Sequence, residues 1–334
     1  MGVERRQGNS MRKSEPFFVF AILVLLGAAM PAFAQSYPDK PLRLFSGFPP
    51  GAPVDSLTRQ IGAELTKSWG QPFIIENGPG ANGIISADNC RKSAADAYSY
   101  CMFDRTIPLL PYLYAKLPFD VMRDFEPVSN MVYTALALTV HPSVGANNLK
   151  ELIAAARARP GTLNYASLGP ATTANLLMGW LKKQESLDMT HIVYKGPPDL
   201  FRALVAGESH ITFLGVGGFL GFHKAGKLKI IGISGDKRSP LVAEVPSLAE
   251  QGLTSIDTRV WFGLFAPAGA PRDRTGRMHI ELKRIFAIPA FNEKSLVAAG
   301  FEPIANSPEE FARDLVRDRA SGAELIKISG ARVE

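Results

Sequence analysis

The chain has 334 residues, 46% hydrophobic and 20% charged, with 30 Gly, 25 Pro and two Cys, which excludes a disordered chain, a collagen-like repeat and a disulfide-dense miniprotein. At this length a single core usually stops growing, so two domains of roughly 100 to 150 residues are expected. The formal charge is +6, and the first 34 positions hold four basic residues against two acids; the +4 left beyond them is too mild to suggest a nucleic-acid partner.

Arg5, Arg6, Arg12 and Lys13 precede 14 consecutive apolar residues, Phe17 to Met30, and Ala32-Phe33-Ala34 then forms a small-x-small cleavage pattern before Gln35. This is the pattern of a secretory signal peptide over residues 1–34. The run is short of the roughly 20 residues a membrane span needs, and nothing later in the chain is comparable. Met11, followed by Arg12 and Lys13, would give a 24-residue signal and is the expected start of the precursor. Arg5-Arg6 resembles a twin-arginine signal, but it lies 11 residues before the apolar run, and hydrophobic residues do not follow it directly.

Beyond Gln35, short apolar runs alternate with helical patterns. Leu42 to Phe45 is a strand, and Leu57, Ile61 and Leu65 at i, i+4, i+8 mark an amphipathic helix. Phe73 to Ile75 starts a second strand, Ile84 to Ala94 a second helix, and Tyr98 to Phe103 a third strand. The pattern resumes with strands at 135–140, 163–166, 191–193, 211–214 and 228–233, and helices at 149–157, 174–183 and 200–206. Repeated strand–helix units imply mainly parallel sheets. Asn148 before Glu151, and Ser307-Pro308-Glu309-Glu310, are capping-box helix starts. After Trp261 to Ala266 the chain ends in helical patterns, so its C-terminal stretch is expected to return to the first lobe. The resulting division is 35–134 plus 258–334 for lobe 1 and 135–257 for lobe 2, joined by two crossovers.

Catalytic chemistry is hard to find. The five His are scattered without metal spacing, and CxxC, HExxH, GxSxG and GxxxxGK are all missing. Ser167, with Thr172 and Thr173 nearby, could pass for a nucleophile, but no base stands near it and a helix-start role is the simpler reading. Gly78-Pro79-Gly80-Ala81-Asn82-Gly83 matches GxGxxG, with Asp104 21 residues beyond. Pro79 stiffens that turn, and an exported chain would meet its nucleotide only outside the cytosol. What survives is weaker: a Gly-rich turn at a helix start exposes backbone N–H groups and is an anion site of no fixed specificity.

Ten segments stand together in order. They are Tyr37-Pro38-x-Lys40-Pro41-Leu42-Arg43-Leu44, Phe48-Pro49-Pro50-Gly51 with Asp55, Gly70-Gln71-Pro72, Glu76-Asn77-x-Pro79-Gly80-Ala81, Leu113 to Pro118, Pro160-Gly161-x-Leu163-Asn164-Tyr165, Tyr194-Lys195-Gly196, Ala225 to Leu228, Lys237 to Pro240 and Trp261 to Gly269. In this order and spacing the chain resembles the Bug-type extracytoplasmic receptors of tripartite tricarboxylate transporters. The resemblance implies a type II periplasmic-binding-protein fold, an α/β Venus flytrap with two mainly parallel sheets flanked by helices, closing on a small organic anion. It also implies that backbone amides and ordered waters at strand-to-helix turns make much of the ligand contact.

Carried onto this sequence, the first-lobe turn runs from Phe48 through Pro50, Gly51 and Ala52 to Asp55, and the second-lobe turn from Ser167 through Gly169 to Thr172 and Thr173. Three or four charge-assisted hydrogen bonds at roughly 1.5 to 3 kcal/mol each could supply much of the roughly 8 kcal/mol of a micromolar complex. The chain departs from the commoner pattern in three places. Ala52-Pro53-Val54 replaces several Gly and a Thr, and Pro170 to Asn175 replaces a Gly/Asn/Ser-rich loop ending in His. Leu214-Gly215-Val216-Gly217 stands where many relatives carry an Asp, which weakens any case for an ammonium-bearing ligand. Arg105 and Thr106 end the third strand, the edge at which parallel sheets bind ligands, and Arg105 either faces the cleft, pairs with Asp104 or is solvated on the rim.

The expectation is a monomeric periplasmic receptor that binds a small organic carboxylate without cofactor or metal and hands it to membrane permease subunits. A ligand sensor for a signalling partner and an enzyme on the same scaffold are the competing readings; turnover of the bound acid would favour the enzyme, lost gene induction with unchanged uptake the sensor. Cys90 falls in the second helix and Cys101 in the following strand. An oxidising compartment and an even Cys count favour a disulfide between them, the alternative being two buried thiols.

Overall fold

The computed structural model describes residues 1–4, 37–254 and 258–330. The expected signal peptide, the Met11 start and the last residues of the 135–257 lobe fall wholly or partly outside the described residues. The architecture below lies within residues 40–334, which form one unit separate from residues 1–39.

The apolar runs of the first half form strands β1 (Leu42–Ser46), β2 (Phe73–Asn77), β3 (Ser99–Asp104) and β4 (Phe125–Thr134). Those of the second half form β5 (Leu136–Val140), β6 (Asn164–Ser167), β7 (Thr190–Val193), β8 (Ile211–Gly215) and β9 (Lys229–Ile233), followed by β10 (Val260–Pro267) and β11 (Phe301–Pro303). They build a six-stranded sheet, β11-β4-β10-β3-β1-β2, and a five-stranded sheet, β7-β6-β8-β5-β9. In the first, β1 to β4 run one way and β10 and β11 the other; in the second, β6 to β9 run together against β5. The sheets are therefore mainly parallel in strand direction, and the reversed β5 and β10 are the crossover strands. Each is the first strand after a crossover and enters its sheet from the edge where the parallel strands end, so it must run backwards.

Seven longer helices flank the sheets: α1 (Pro53–Trp69), α2 (Ile84–Arg91), α3 (Leu149–Ala158), α4 (Thr173–Gln184), α5 (Pro197–Val205), α6 (Arg272–Phe286) and α7 (Pro308–Ser329). On α1, the buried Leu57, Ile61 and Leu65 form the expected stripe. The helix stops at Gly70, whose positive φ of 70° lets its N–H reach the Thr66 carbonyl. The two capping signals operate: Asn148 accepts from the Glu151 N–H at 2.9 Å, and Ser307 and Glu310 close a capping box. α2 ends three residues earlier than expected, at Arg91.

Two strands depart from the expectation. β4 carries Pro127 and buries Ser129 and Asn130, so neither alternation nor an apolar run marks it. β11 is three residues long and interrupts the C-terminal stretch, which is not purely helical.

α7 links the two halves. Its Phe311 and Leu315 belong to the core of the six-stranded sheet with Trp261 and Phe265, while Leu325 and Ile326 belong to the core of the five-stranded sheet with Leu176 and Tyr165. Between them Gly322 lies so close to Leu109 that a Cβ there would meet Leu109 Cδ2 at 2.1 Å. Cys90 on α2 and Cys101 on β3 are joined as a disulfide, with Cα atoms 6.0 Å apart.

Candidate functional site

The topology brings the carboxyl ends of both sets of parallel strands to one seam. β4 leaves the first sheet at Thr134 and β5 begins one residue further on, at Leu136, paired with Gly215, the last residue of β8. β1 and β3 run with β4, and β6 runs with β8, so the turns after all of them face the seam. Ala135 stitches it, accepting from the Val216 N–H at 2.9 Å and donating to the Gly300 carbonyl at 3.4 Å.

The first turn leads from β1 into α1. Pro50 and Gly51 are exposed, Phe48 and Ala52 half-buried. Asp55 is 1% exposed and organises the turn from beneath. Its carboxylate accepts from the Gly51 N–H at 2.9 Å, from Arg59 Nε at 3.0 Å and from Asn77 Nδ2 at 2.8 Å. Burial pushes this carboxyl up, but the bonds from Arg59, Gly51 and Asn77 outweigh it and hold it below the usual carboxylate range. Asn77 also donates to the Phe48 carbonyl at 3.0 Å, so the end of β2 clamps the turn. Among the described residues no side chain caps the start of α1, whose first turn holds Asp55; such a helix start favours negative charge.

The second turn leads from β6 into α4. Ser167 is fully buried; its hydroxyl accepts from the Gly169 N–H at 3.1 Å and lies 2.7 Å from His191 Nε2 on β7. Thr172 donates to the Gly169 carbonyl at 2.8 Å and caps α4 by accepting from the Asn175 N–H at 3.3 Å. Asn175 donates to the Pro170 carbonyl at 2.7 Å and accepts from the Tyr165 hydroxyl at 2.9 Å. Gly169 has φ of 144°, a conformation closed to residues with a Cβ. Thr173 is the first residue of α4.

The base that the sequence does not reveal beside Ser167 is thus His191, stacked on Tyr165 with centroids 4.7 Å apart. Burial, and then the Lys182 charge, lower the His191 pKa; burial raises that of Tyr165 to about 12. The serine hydroxyl is buried and engaged with the N–H and the carbonyl of Gly169 in its own turn, which makes it a structural group and not an accessible nucleophile.

Arg105 does not face the seam. Its guanidinium turns into the core behind β3, 3.3 Å from the Asp318 carboxylate on α7, and donates to the Arg259 carbonyl at 2.8 Å. Asp318 also accepts from the Trp261 indole N–H at 2.6 Å. The sequence pairing of Arg105 with Asp104 is likewise replaced. Asp104 instead accepts from the Thr106 N–H at 2.8 Å, and burial holds its carboxyl above the usual range against that bond. Thr106 is buried, and Gly215 is half-buried at the opposite strand end.

Phe262 on β10 pairs with Asp104, the last residue of β3, and so also sits at the seam. It meets Phe48 edge to face with centroids 5.3 Å apart, both rings half-buried. A cavity of about 220 Å³ lies on the other side of the crossover strands, at the ends of β4 and β9, lined by Tyr133, Ser234, Lys237, Arg259, Phe301 and Glu302 among others. Of the GxGxxG turn, Gly83 packs against the chain after β1, where a Cβ on Gly47 would lie 2.8 Å from the Gly83 Cα, while Pro79 to Asn82 are exposed. Among the described residues no group of three or more His, Cys, Asp or Glu could hold a metal ion.

Arg59, Asn77, His191 and Asn175 shape the two turns and are not among the site residues expected from the sequence. Arg59 carried a signal, standing four residues after Asp55 on one helix. His191 carried none, because β6 and β7 become neighbours only in the sheet.

Two α/β lobes meeting at the carboxyl ends of their strands, each with a rigid turn opening onto a helix start, define a solute-binding protein of the periplasmic-receptor type. The chain belongs to the tripartite tricarboxylate transporter family receptors, whose profile matches residues 57–330; this is a family of receptors and not of enzymes. A Cupriavidus necator protein, "UPF0065 protein in gbd 5'region", is 32% identical over 309 residues, covering 92% of this chain and 91% of its own. Protein BugT of Bordetella pertussis is 27% identical over 310 residues, 92% of this chain and 95% of that one. The solved structure "R. palustris Rpa4515 with adipate" superposes with a TM-score of 0.80 at 27% identity, covering 89% of this chain and all of that one.

Proposed function

We propose that this receptor captures a small organic carboxylate between the 48–55 and 167–173 turns and delivers it to the permease subunits of a tripartite tricarboxylate-type transporter. It works as a monomer in the periplasm, exported by the leader at residues 1–34. The observation that carries the reading is that the turns into α1 and α4 both follow strands whose carboxyl ends reach the seam, each turn held by buried side chains. Helix starts favour negative charge, and turns already held in place lose little freedom on binding. A ligand touching both turns stabilises the closed arrangement of the lobes, with the crossovers at Ala135 and near Arg259 as the hinge. The structure with adipate among the chain's relatives supports a carboxylate as ligand.

Thermal unfolding of the exported protein with a panel of mono-, di- and tricarboxylates tests this. A ligand at a hundredfold excess over Kd stabilises by about 2.7 kcal/mol, so at least one acid raises the melting temperature and nucleotides do not. A shift with NAD while every carboxylate fails would overturn the reading.

A further inference from the structure

Resting on that reading, we infer that the site takes a carboxylate with an apolar body, an alkyl or aryl carboxylate, in preference to hydroxy, amino or tricarboxylic acids. The two rings at the seam carry the argument. Phe48 leads into the first turn and Phe262, the third residue of β10, lies beside the last residue of β3, and their edge-to-face contact forms a half-buried aromatic surface next to the α1 start. An aromatic pair gains most from covering apolar area and offers no partner to hydroxyl or ammonium groups.

The charged side chains at these strand ends are already committed. Asp55 is closed off beneath its turn by Gly51, Arg59 and Asn77, and Arg59 donates to Asn77 as well. Arg105 is buried against Asp318. Across the seam, Leu168, Leu214 and Gly215 are uncharged and half-buried. Lys195, after β7, is exposed, suited to drawing an anion towards the mouth but not to holding a second or third buried carboxylate. The helix starts thus suit one carboxylate, and the rings suit a body without polar groups. A citrate or an amino acid would have to leave desolvated groups unpaired here.

Calorimetric Kd values for hexanoate and benzoate, compared with acetate, malate, aspartate and citrate, test the inference. Hexanoate or benzoate binds at least tenfold more tightly than acetate and than each polar acid. Phe262→Ala narrows the benzoate-to-acetate affinity ratio at least fivefold. Tighter binding of malate, aspartate or citrate would overturn the inference and leave the receptor reading intact; binding of none of the six acids would overturn the inference, and the receptor reading falls with it only when the wider carboxylate panel also fails to shift the melt. An unchanged ratio in a folded Phe262→Ala protein, or in Phe48→Leu should the first variant not fold, would remove the aromatic pair from the site and the inference with it.

Discussion

Replacing Arg105 with alanine separates a structural from a ligand-binding role for this residue. The guanidinium and the Asp318 carboxylate are 7% and 3% exposed and 3.3 Å apart. Removing one partner of such a pair leaves a buried charge and typically costs about 3–5 kcal/mol. Asp318 keeps the Trp261 N–H at 2.6 Å, which places the loss near the lower end, about 3 kcal/mol. Because domains of this kind have only about 5–15 kcal/mol in hand, urea unfolding registers that loss as a large fall in midpoint at little change in slope. In a double-mutant cycle, Arg105→Ala with Asp318→Ala costs less than the two singles together by at least about 1 kcal/mol, since the second change removes the charge the first one strands. Ligand affinity measured well below the transition changes less than tenfold. A stability loss under about 1 kcal/mol with an affinity loss of tenfold or more, about 1.4 kcal/mol, would refute this placement and return Arg105 to the ligand.

Asp55→Asn weakens carboxylate binding by loosening the first turn, and it flattens the acid limb of the stability curve. The native carboxyl is depressed, so its contribution is complete above the unfolded value of about 3.9 and is lost as pH falls through the lower native one; acid unfolding of both proteins reads this. His191 is held neutral by burial, so stability falls as pH drops below its unfolded value of about 6.5, and melting curves at pH 7 and 5 converge in His191→Gln. Thiol titration of the unfolded, unreduced protein finds no free Cys90 or Cys101, and reduction costs at most about 3 kcal/mol for so short a loop. Gly322→Ala forces Leu109 aside and lowers stability by about 1–3 kcal/mol in urea unfolding.

Much of the fold could be read from periodicity because most strands and helices carry the pattern of the face they bury, as Leu57, Ile61 and Leu65 do on α1. β4 could not, since Pro127 and the buried polar pair Ser129 and Asn130 hide a central strand whose environment is set by β10, more than a hundred residues away. The site divides in the same way. The turns at Gly51 and Gly169 announce themselves through glycine, proline and helix-start residues, which act locally. The direction of Arg105 depends on Asp318, and the environment of Ser167 on His191; both partners arrive through tertiary packing, which local spacing does not encode. The disulfide stood between these cases, its partners being close in sequence on adjoining elements.

The central claim, that one carboxylate sits between the two facing helix starts, is tested most directly by a crystal structure of the exported protein with the acid that raises its melting temperature most. The account predicts the carboxylate oxygens within hydrogen-bond distance of backbone N–H groups in both the 51–55 and 169–173 turns. Density for the acid instead in the cavity beyond the crossover strands, against Ser234 and Arg259, would contradict it.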